Sequence, residues 1–283
     1  MKANYLINLQ DALNKIKHSI ENAIETGGTE GKNNLIRTSK PIGLLHDVVK
    51  SELIKNNISD KLIAPALGVS RGELSLAGFF KKKDQDVCVM QKGLKPITET
   101  LENEGILNGV EDKYGKDFTE KCLSINVRSQ LSSCAKNFDT LYERTILEAI
   151  NLHKRCPKMC LGEFYMITVR EYDSSAANRH EVKYRDTKGI QNHIEKYILS
   201  FGAINNRVTT NDSFKYERVC LLIVDFSQDT PKYYGSDSEL KNDGLLSENS
   251  SASINDMNFE SFVPTLLKTY SKRFGQTALP FSK

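Results

Sequence analysis

The sequence predicts an α/β fold, with a central mixed β-sheet flanked by helices and a helical N-terminal part. The first observation behind this prediction is a strand–helix–strand pattern over residues 122–168, where two apolar runs enclose an amphipathic stretch. A unit of this kind builds parallel or mixed sheets. The second is the run Val-Cys-Leu-Leu-Ile-Val-Asp-Phe at 219–226, which is typical of a buried strand. The third is the helical spacing of leucine and isoleucine over residues 5–25.

The remaining elements follow from periodicity and from glycine and proline. The helix over 5–25 is expected to end at Gly27 and Gly28, the stretch 27–40 to be a loop, and Pro41 to open a second helix. The later predictions are, in order, a β-hairpin over 73–90 with its turn at 81–85, a polar loop over 91–121, a charged loop over 173–189, a helix over 190–204, a polar segment typical of a mobile loop over 227–257, and a last helix at Phe259–Phe274.

Composition and charge exclude some classes of protein. The 283 residues carry a formal net charge of +3, which permits nucleic-acid binding through a clustered basic face but does not demand it. No apolar run reaches the roughly 18 residues that span a bilayer, and the first residues lack an apolar signal segment. The six cysteines lie mostly in apolar runs without a zinc-binding spacing, which favours reduced, buried thiols. We therefore expect a cytoplasmic protein with no membrane partner.

The first strand of the central unit carries an unusual polar face. Asn126, Arg128 and Gln130 alternate with small or apolar residues along 122–130, so three polar side chains share one face of a strand that should be buried. Buried polar groups cost free energy unless they are paired. The pattern therefore predicts that this strand borders a site.

Helix geometry separates the acidic residues of the stretch 136–153. Glu148 lies roughly 70° from the centre of the apolar stripe and Glu143 roughly 150° from it, at 100° per residue. Glu148 is thus expected to reach the edge of a buried site and Glu143 to face water. Arg144 lies one turn before Glu148, where it either belongs to the site or forms a surface ion pair with Glu148.

The order of these residues fits metal-dependent phosphodiester cleavage. Asp86 opens a strand candidate, the polar-faced strand follows, and the helix with Glu148 comes next. Mg²⁺ prefers oxygen ligands, usually one or two carboxylates with water and substrate phosphate. A cation beside the metal neutralises the charge that develops on the phosphate.

In this order of residues the sequence resembles type II restriction endonucleases, in particular the CCGG-reading, NgoMIV-like branch of the PD-(D/E)xK nucleases. The resemblance covers roughly residues 86–168. It lies in the segments Ser124-Ile-Asn126, Arg128-Ser129-Gln130 and Glu148-Ala149-Ile150-Asn151-Leu152. It implies a restriction-endonuclease-like core in which Asp86 and Glu148 hold Mg²⁺. It also leaves open whether Glu52 or Glu73 joins the site as an additional glutamate.

The strand departs from that family at the catalytic lysine. In one register Asn126 and Arg128 occupy the positions of the glutamate–lysine pair, and a lysine could otherwise come from Lys83, Lys121 or Lys136. The run that contains Lys83, residues 81–83, either grips phosphates or is a solvated hairpin tip.

Two further patterns have a structural as well as a functional interpretation. Arg128 and Gln130 either contact bases, as arginine does with guanine and glutamine with adenine, or brace a buried polar network. Glu181-Val-Lys183 matches the family's three-residue motif literally, but it lies in a polar loop and is expected to be a chance match.

The sequence thus predicts a sequence-specific, Mg²⁺-dependent endonuclease of double-stranded DNA. The predicted catalytic residues are Asp86, Asn126, Arg128 and Glu148, and the predicted DNA contacts are Arg128, Gln130, Arg144 and Lys83. We expect one domain over 1–283, with a helical part at 1–72, a catalytic core at 73–226 and a polar loop with a helix at 227–283.

Because restriction sites are usually palindromic, a homodimer or homotetramer is expected. One alternative is a non-catalytic DNA-binding or assembly protein on a nuclease-like scaffold. Another is an α/β enzyme with a small-molecule substrate.

Overall fold

The computed structural model describes residues 6–102, 105–186 and 188–279. The helices of these ranges are α1 (Leu9–Arg37), α2 (Ser39–Lys55), α3 (Gly115–Glu120), α4 (Cys134–Arg155), α5 (Ser174–Ala177), α6 (Ile190–Ala203), α7 (Asp237–Asn242) and α8 (Phe259–Phe274). The strands are β1 (Ile63–Ala64), β2 (Leu74–Ala77), β3 (Lys82–Gln85), β4 (Val87–Val89), β5 (Glu99–Thr100), β6 (Glu111–Asp112), β7 (Leu123–Gln130), β8 (Cys160–Thr168), β9 (Arg218–Asp225) and β10 (Lys232–Tyr234).

A six-stranded mixed sheet forms the centre of the fold, in the order β1-β4-β7-β8-β9-β10. The three long strands β7, β8 and β9 are parallel to one another, whereas β4 is antiparallel to β7 and β10 is antiparallel to β9. Every residue of β8 is buried because the strand lies in the middle of the sheet with helices on both sides. This arrangement confirms the predicted α/β class with a central mixed sheet.

The strand–helix–strand unit predicted over 122–168 is present as β7, α4 and β8. Its two strands pair in parallel from Leu123 with Cys160 to Gln130 with Ile167. The chain then returns through α6 to β9, which pairs in parallel with β8. Parallel neighbours need such helical crossovers because a short turn cannot reverse the chain twice.

Each face of the sheet is covered by its own apolar core. Helices α1, α2 and α8 cover one face, where Ile16 and Phe262 belong to the same buried cluster as Ile125 of β7. Helices α4 and α6 cover the other face, where Leu152 and Tyr197 are part of a second cluster. The side chains of β7 alternate, so its apolar positions face the first core and its polar positions face α4. This alternation sets the position of the candidate site.

The helical N-terminal part is longer than the sequence predicted, so the expected loop at 27–40 was wrong. The helix α1 is kinked at Gly28, whose φ is 59°, and continues to Arg37, and Thr38 caps α2. Glycine tolerates this φ, and a Cβ at Gly28 would lie 3.0 Å from the carbonyl oxygen of Ala177. Gly28 therefore breaks the helix as predicted, but a second helical segment follows at once in place of the expected loop. Residue 5, where the predicted helix began, lies outside the described residues.

The hairpin predicted over 73–90 was wrong in its pairing. The strand β2 pairs with β3, from Leu74 with Gln85 to Ala77 with Lys82, so residues 81–85 are largely strand and not a turn. The chain then passes through Asp86 into β4, which belongs to the central sheet. All four residues of β3 are polar, so the strand has no alternation of apolar and polar residues by which the sequence could predict it.

Other predicted segments have the following outcomes. The helices over 190–204 and Phe259–Phe274 are confirmed as α6 and α8, and all six cysteines are buried and free of disulfides. The segments 91–121 and 173–189 contain short elements rather than only loop, and 227–257 contains β10 and α7. Ser236 and Glu239 form a capping box on α7, which fixes this polar segment. No helix in the described ranges has the length and apolar character needed to cross a membrane.

We predict that Gly162→Ala destabilises the fold, because β8 and α8 meet closely at this position. A Cβ there would lie 2.8 Å from Leu266 Cδ2 and 3.0 Å from Phe262 Cζ. Overpacking of this kind costs about 1–3 kcal/mol, measured as the free energy of unfolding in urea.

The matched control is Gly43→Ala in α2, where a Cβ would meet no atom within 4 Å. It should leave stability unchanged or raise it by up to about 1 kcal/mol, since alanine favours helix. Equal stability of the two variants would contradict this account of the sheet–helix contact.

Candidate functional site

A polar cleft of about 550 Å³ opens beside the carboxyl half of β7, on the face that packs against α4. The hairpin β2–β3 and the start of α2 form its other walls. The charged side chains that line the cleft are Lys81, Lys82, Lys83, Asp84, Asp86, Arg128, Arg144 and Glu148. A larger groove of about 690 Å³, between the end of α2 and α8, carries lysines but no comparable grouping of both charges.

Glu148 is the buried centre of the charge cluster in the cleft. Its side chain is 2% exposed, and it contacts three cations. Lys83 and Arg128 both contact Oε2, and Nε of Arg144 donates to Oε1 over 3.1 Å. The angle predicted from the helix wheel is thus confirmed, because Glu148 is buried while Glu143 on the same helix is exposed.

Arg128 joins Glu148 to a second buried carboxylate. Its Nη1 donates to Glu163 Oε1 over 2.5 Å and to Thr145 Oγ1 over 2.8 Å. Glu163 lies on β8 beside Asn126, is fully buried, and has a pKa that burial raises and Arg128 partly lowers. A guanidinium can serve both carboxylates because it offers several donors in one plane.

Asn126 completes the buried part of the cluster. Its Nδ2 donates to Glu163 Oε2 over 3.2 Å and to the Tyr216 hydroxyl over 3.4 Å. Tyr216 in turn donates to the Thr145 carbonyl over 2.8 Å. The Asn126 Oδ1 is buried and accepts no hydrogen bond from the described residues. It is therefore a hard oxygen donor without a partner on the same face as the charge cluster.

Asp86 lies where the chain passes from β3 to β4. It directly precedes Val87, which pairs with Ile125. The Asp86 Oδ2 accepts a hydrogen bond from the Val127 backbone N–H over 2.8 Å. This contact holds the carboxylate at the edge of β7, next to Asn126 and in the lining of the cleft. The structure thus brings Asp86, Arg128 and Glu148 into the lining of one cleft, whereas Asn126, the fourth predicted catalytic residue, does not line it.

Lys83 has an ammonium group that is costly to keep charged. Burial, followed by the Arg128 guanidinium, lowers the pKa of Lys83 to about 7, while Glu163 and Asp86 act in the opposite direction. Its contact with Glu148 does not restore the ordinary pKa because Glu148 also neutralises Arg128 and Arg144. Lys83 can therefore exchange a proton near neutral pH.

Gln130 is the predicted DNA contact that does not face the cleft. Its side chain is buried, donates to the carbonyls of Ser133 and Cys134, and accepts from the hydroxyls of Tyr165 and Tyr197. With its amide bonded on both sides, Gln130 has no group left to contact a base. Gln130 therefore belongs to a buried polar network that braces the strand, which was the structural interpretation of this residue.

The other acidic candidates lie outside the cleft lining. Glu52 pairs with Lys55 over 2.7 Å, and Glu73 lies in a neighbouring depression beside α2. Glu181 pairs with Lys183 over 2.8 Å at the surface, which agrees with a chance match to the three-residue motif.

Sequence reasoning missed Glu163, Thr145 and Tyr216 as members of the cluster. Glu163 is a lone carboxylate in an otherwise apolar strand, and this was the signal that could have found it. Tyr216 precedes β9 and carried no comparable signal, since its role depends on the crossover that places β9 beside β8.

The donor atoms of the cleft suit a hard cation such as Mg²⁺. The carboxylates of Asp86 and Glu148 line the cleft and are the ligand type that Mg²⁺ prefers, whereas Asn126 is buried and does not line it. No group of three or more His, Cys, Asp or Glu side chains in the described ranges is arranged to hold a metal ion. Coordination by Glu148 would require Lys83 or Arg128 to release it.

Comparison with protein-family models, with curated proteins and with solved structures gives no match for this chain.

We predict that replacing Lys83 changes how stability depends on pH. Below about pH 7 the lysine is protonated in both the folded and the unfolded chain, so its contribution is constant. Between about 7 and the ordinary value of 10.5, the folded chain binds fewer protons at Lys83 than the unfolded chain does. Wild type should therefore gain stability over Lys83→Met as pH rises above 7, by at most about 1.4 kcal/mol per pH unit.

The measurement is the free energy of unfolding in urea across this pH range. The matched control is Leu141→Met, which alters the cleft lining without removing a titratable group and should follow wild type at every pH. Parallel curves for wild type and Lys83→Met would contradict the lowered pKa.

Proposed function

We propose that this protein hydrolyses phosphodiester bonds of double-stranded DNA in a Mg²⁺-dependent reaction, with the cleft around Glu148 as its active site. The observation that supports the proposal is the convergence of Asp86, Glu148 and Lys83 in one open cleft. Two carboxylates with one lysine are the set of groups that the sequence resemblance requires. The lysine comes from β3 instead of the polar-faced strand.

Asp86 and Glu148, which line the cleft, would hold the metal. When bound, Mg²⁺ would lower the pKa of a water ligand and neutralise negative charge on the phosphate. Glu163 lies behind these groups and holds Arg128 in place through its 2.5 Å contact.

Lys83 is proposed to take the proton from the attacking water. The water oxygen forms a bond to phosphorus, the bond from phosphorus to the leaving sugar oxygen breaks, and the proton moves to the neutral amine of Lys83. The leaving oxygen takes up a proton from solvent. A general base works best when its pKa lies near the working pH, as burial arranges for Lys83.

Arg128 and Arg144 are proposed to face the DNA. Arg128 lies at the base of the cleft with 17% of its side chain exposed, and Arg144 lies at the mouth with 64% exposed. Arg128 would stabilise charge on the scissile phosphate, and Arg144 would contact the backbone or a base. With the sequence resemblance, these roles support a type II restriction enzyme that works as a homodimer or homotetramer in the cytoplasm.

A non-catalytic DNA-binding protein on the same scaffold is the second candidate. It is favoured by the contacts of Glu148, because both carboxylate oxygens already touch cations. In that case Lys83 and Arg128 would serve to bind phosphate, and no metal would be needed.

We predict that Asp86→Asn, Glu148→Gln and Lys83→Met each reduce Mg²⁺-dependent cleavage by roughly 100-fold or more. The assay uses purified protein with a panel of plasmid and phage DNAs, in Mg²⁺ or in EDTA, and discrete fragments are expected only in Mg²⁺. Glu143→Gln is the matched control, since it makes the same change at an exposed position of α4 and should keep wild-type activity.

Full cleavage by Asp86→Asn would show that the assigned site is wrong. Retarded DNA in a gel without cleavage by wild type would favour the non-catalytic candidate. Absence of DNA binding at low salt would exclude both.

A further inference from the structure

The turn between β2 and β3 presents two aromatic rings beside the cleft. Phe79 and Phe80 pack edge to face, with ring centroids 5.0 Å apart and an interplanar angle of 83°. Phe80 is 43% exposed, so part of its ring is accessible to a ligand. Lys81, the next residue, lines the cleft.

The backbone of this turn is held rigidly by one buried side chain. Asn151 of α4 accepts hydrogen bonds at Oδ1 from the N–H groups of Phe80 (2.7 Å) and Lys81 (3.1 Å), and its Nδ2 donates to the Lys81 carbonyl over 3.0 Å. Its own carbonyl accepts from the Phe79 N–H over 2.7 Å. A ring held on a fixed backbone loses little conformational entropy when it binds a ligand.

Glycine at position 78 is required for this close approach. A Cβ there would lie 2.3 Å from Asn151 Nδ2, so no larger residue fits without moving the brace. A buried asparagine and a glycine thus fix the backbone that carries the two rings.

Positive charge surrounds the rings. The Lys154 ammonium lies 3.9 Å from the centroid of Phe79 and 5.3 Å from that of Phe80. Lys81 follows in sequence, and Lys83 contacts Glu148 inside the cleft. Lysine is depleted at protein–protein interfaces, whereas aromatic rings interleaved with cations are typical of surfaces that bind unpaired nucleic acid.

We propose that Phe80 stacks on an unpaired nucleobase of the DNA held in the cleft, with Lys81 and Lys154 contacting the flanking phosphates. This inference rests on the proposed function. It adds that the enzyme engages a base that has left the duplex stack, at the turn that precedes the cleft-lining Lys81. Apolar side chains at opened base steps act in this way on bent or kinked DNA.

The test uses tryptophan fluorescence, because the chain contains no tryptophan. Phe80→Trp keeps an aromatic ring and supplies the sole tryptophan, and Val208→Trp is the control at an exposed position between α6 and β9. The probes are a dye-labelled DNA duplex with one T·T mismatch, and inorganic polyphosphate as an anion without bases, both in EDTA. Binding of the duplex is followed independently by anisotropy.

The duplex is expected to quench the emission of Phe80→Trp, while polyphosphate leaves that emission unchanged and neither probe alters Val208→Trp. Phe80→Ala should weaken binding of the duplex about tenfold, and Phe80→Leu, which keeps an apolar side chain but no ring, should weaken it to a similar extent. Quenching by polyphosphate to the same extent, or bound duplex without quenching, would overturn the stacking role and leave the proposed function intact. Failure of the wild-type protein to bind the duplex at low salt would contradict both the stacking role of Phe80 and the proposed function.

Discussion

The ion pairs of Arg128 with Glu148 and Glu163 are the interaction on which the rest of the site depends. The two carboxylates come from α4 and β8, are almost completely buried, and would each carry a large desolvation cost alone. Arg128, which belongs to β7, contacts both carboxylates and offsets this cost. Arg128 is therefore tolerated on the polar face of β7 because the crossover helix and the next parallel strand bring it carboxylates, while tyrosine hydroxyls and backbone carbonyls satisfy Gln130.

This dependence explains why the cleft has both charges in close contact. Removing one partner of a buried ion pair leaves the other uncompensated, which costs about 3–5 kcal/mol. A protein that needed only stability would gain more from apolar side chains at these positions. Stability alone therefore does not account for the carboxylates and cations around the open cleft.

The sequence predicted the part of the fold that local pattern determines. The parallel unit of β7, α4 and β8 followed from apolar runs around an amphipathic stretch, and the orientation of Glu148 and Glu143 followed from helix geometry. The polar strand β3 was not predictable in the same way, because its identity comes from pairing with β2. The same limit applies to α1, where Gly28 interrupts the helix but the polar stretch that follows it is helix and not the loop that its composition predicted.

The sequence predicted two carboxylates of the candidate site but not the contacts among its side chains. Asp86 and Glu148 were identified from order and spacing, whereas Glu163 entered only through the parallel register that sets it beside Asn126. Lys83 was one of several lysines that could have served, and only the pairing of β3 directs it to Glu148. Gln130 carried the same sequence signal as Arg128, yet two tyrosines from β8 and α6 occupy its amide oxygen.

The central claim, that Asp86 and Glu148 together hold a divalent cation, is tested most directly by anomalous diffraction from crystals of the protein soaked in Mn²⁺. The account predicts a peak in the cleft, about 2 Å from oxygen atoms of both carboxylates, and its loss in crystals of Asp86→Asn. Absence of any peak in the cleft at saturating Mn²⁺, with Glu148 still contacting Lys83 and Arg128, would contradict it.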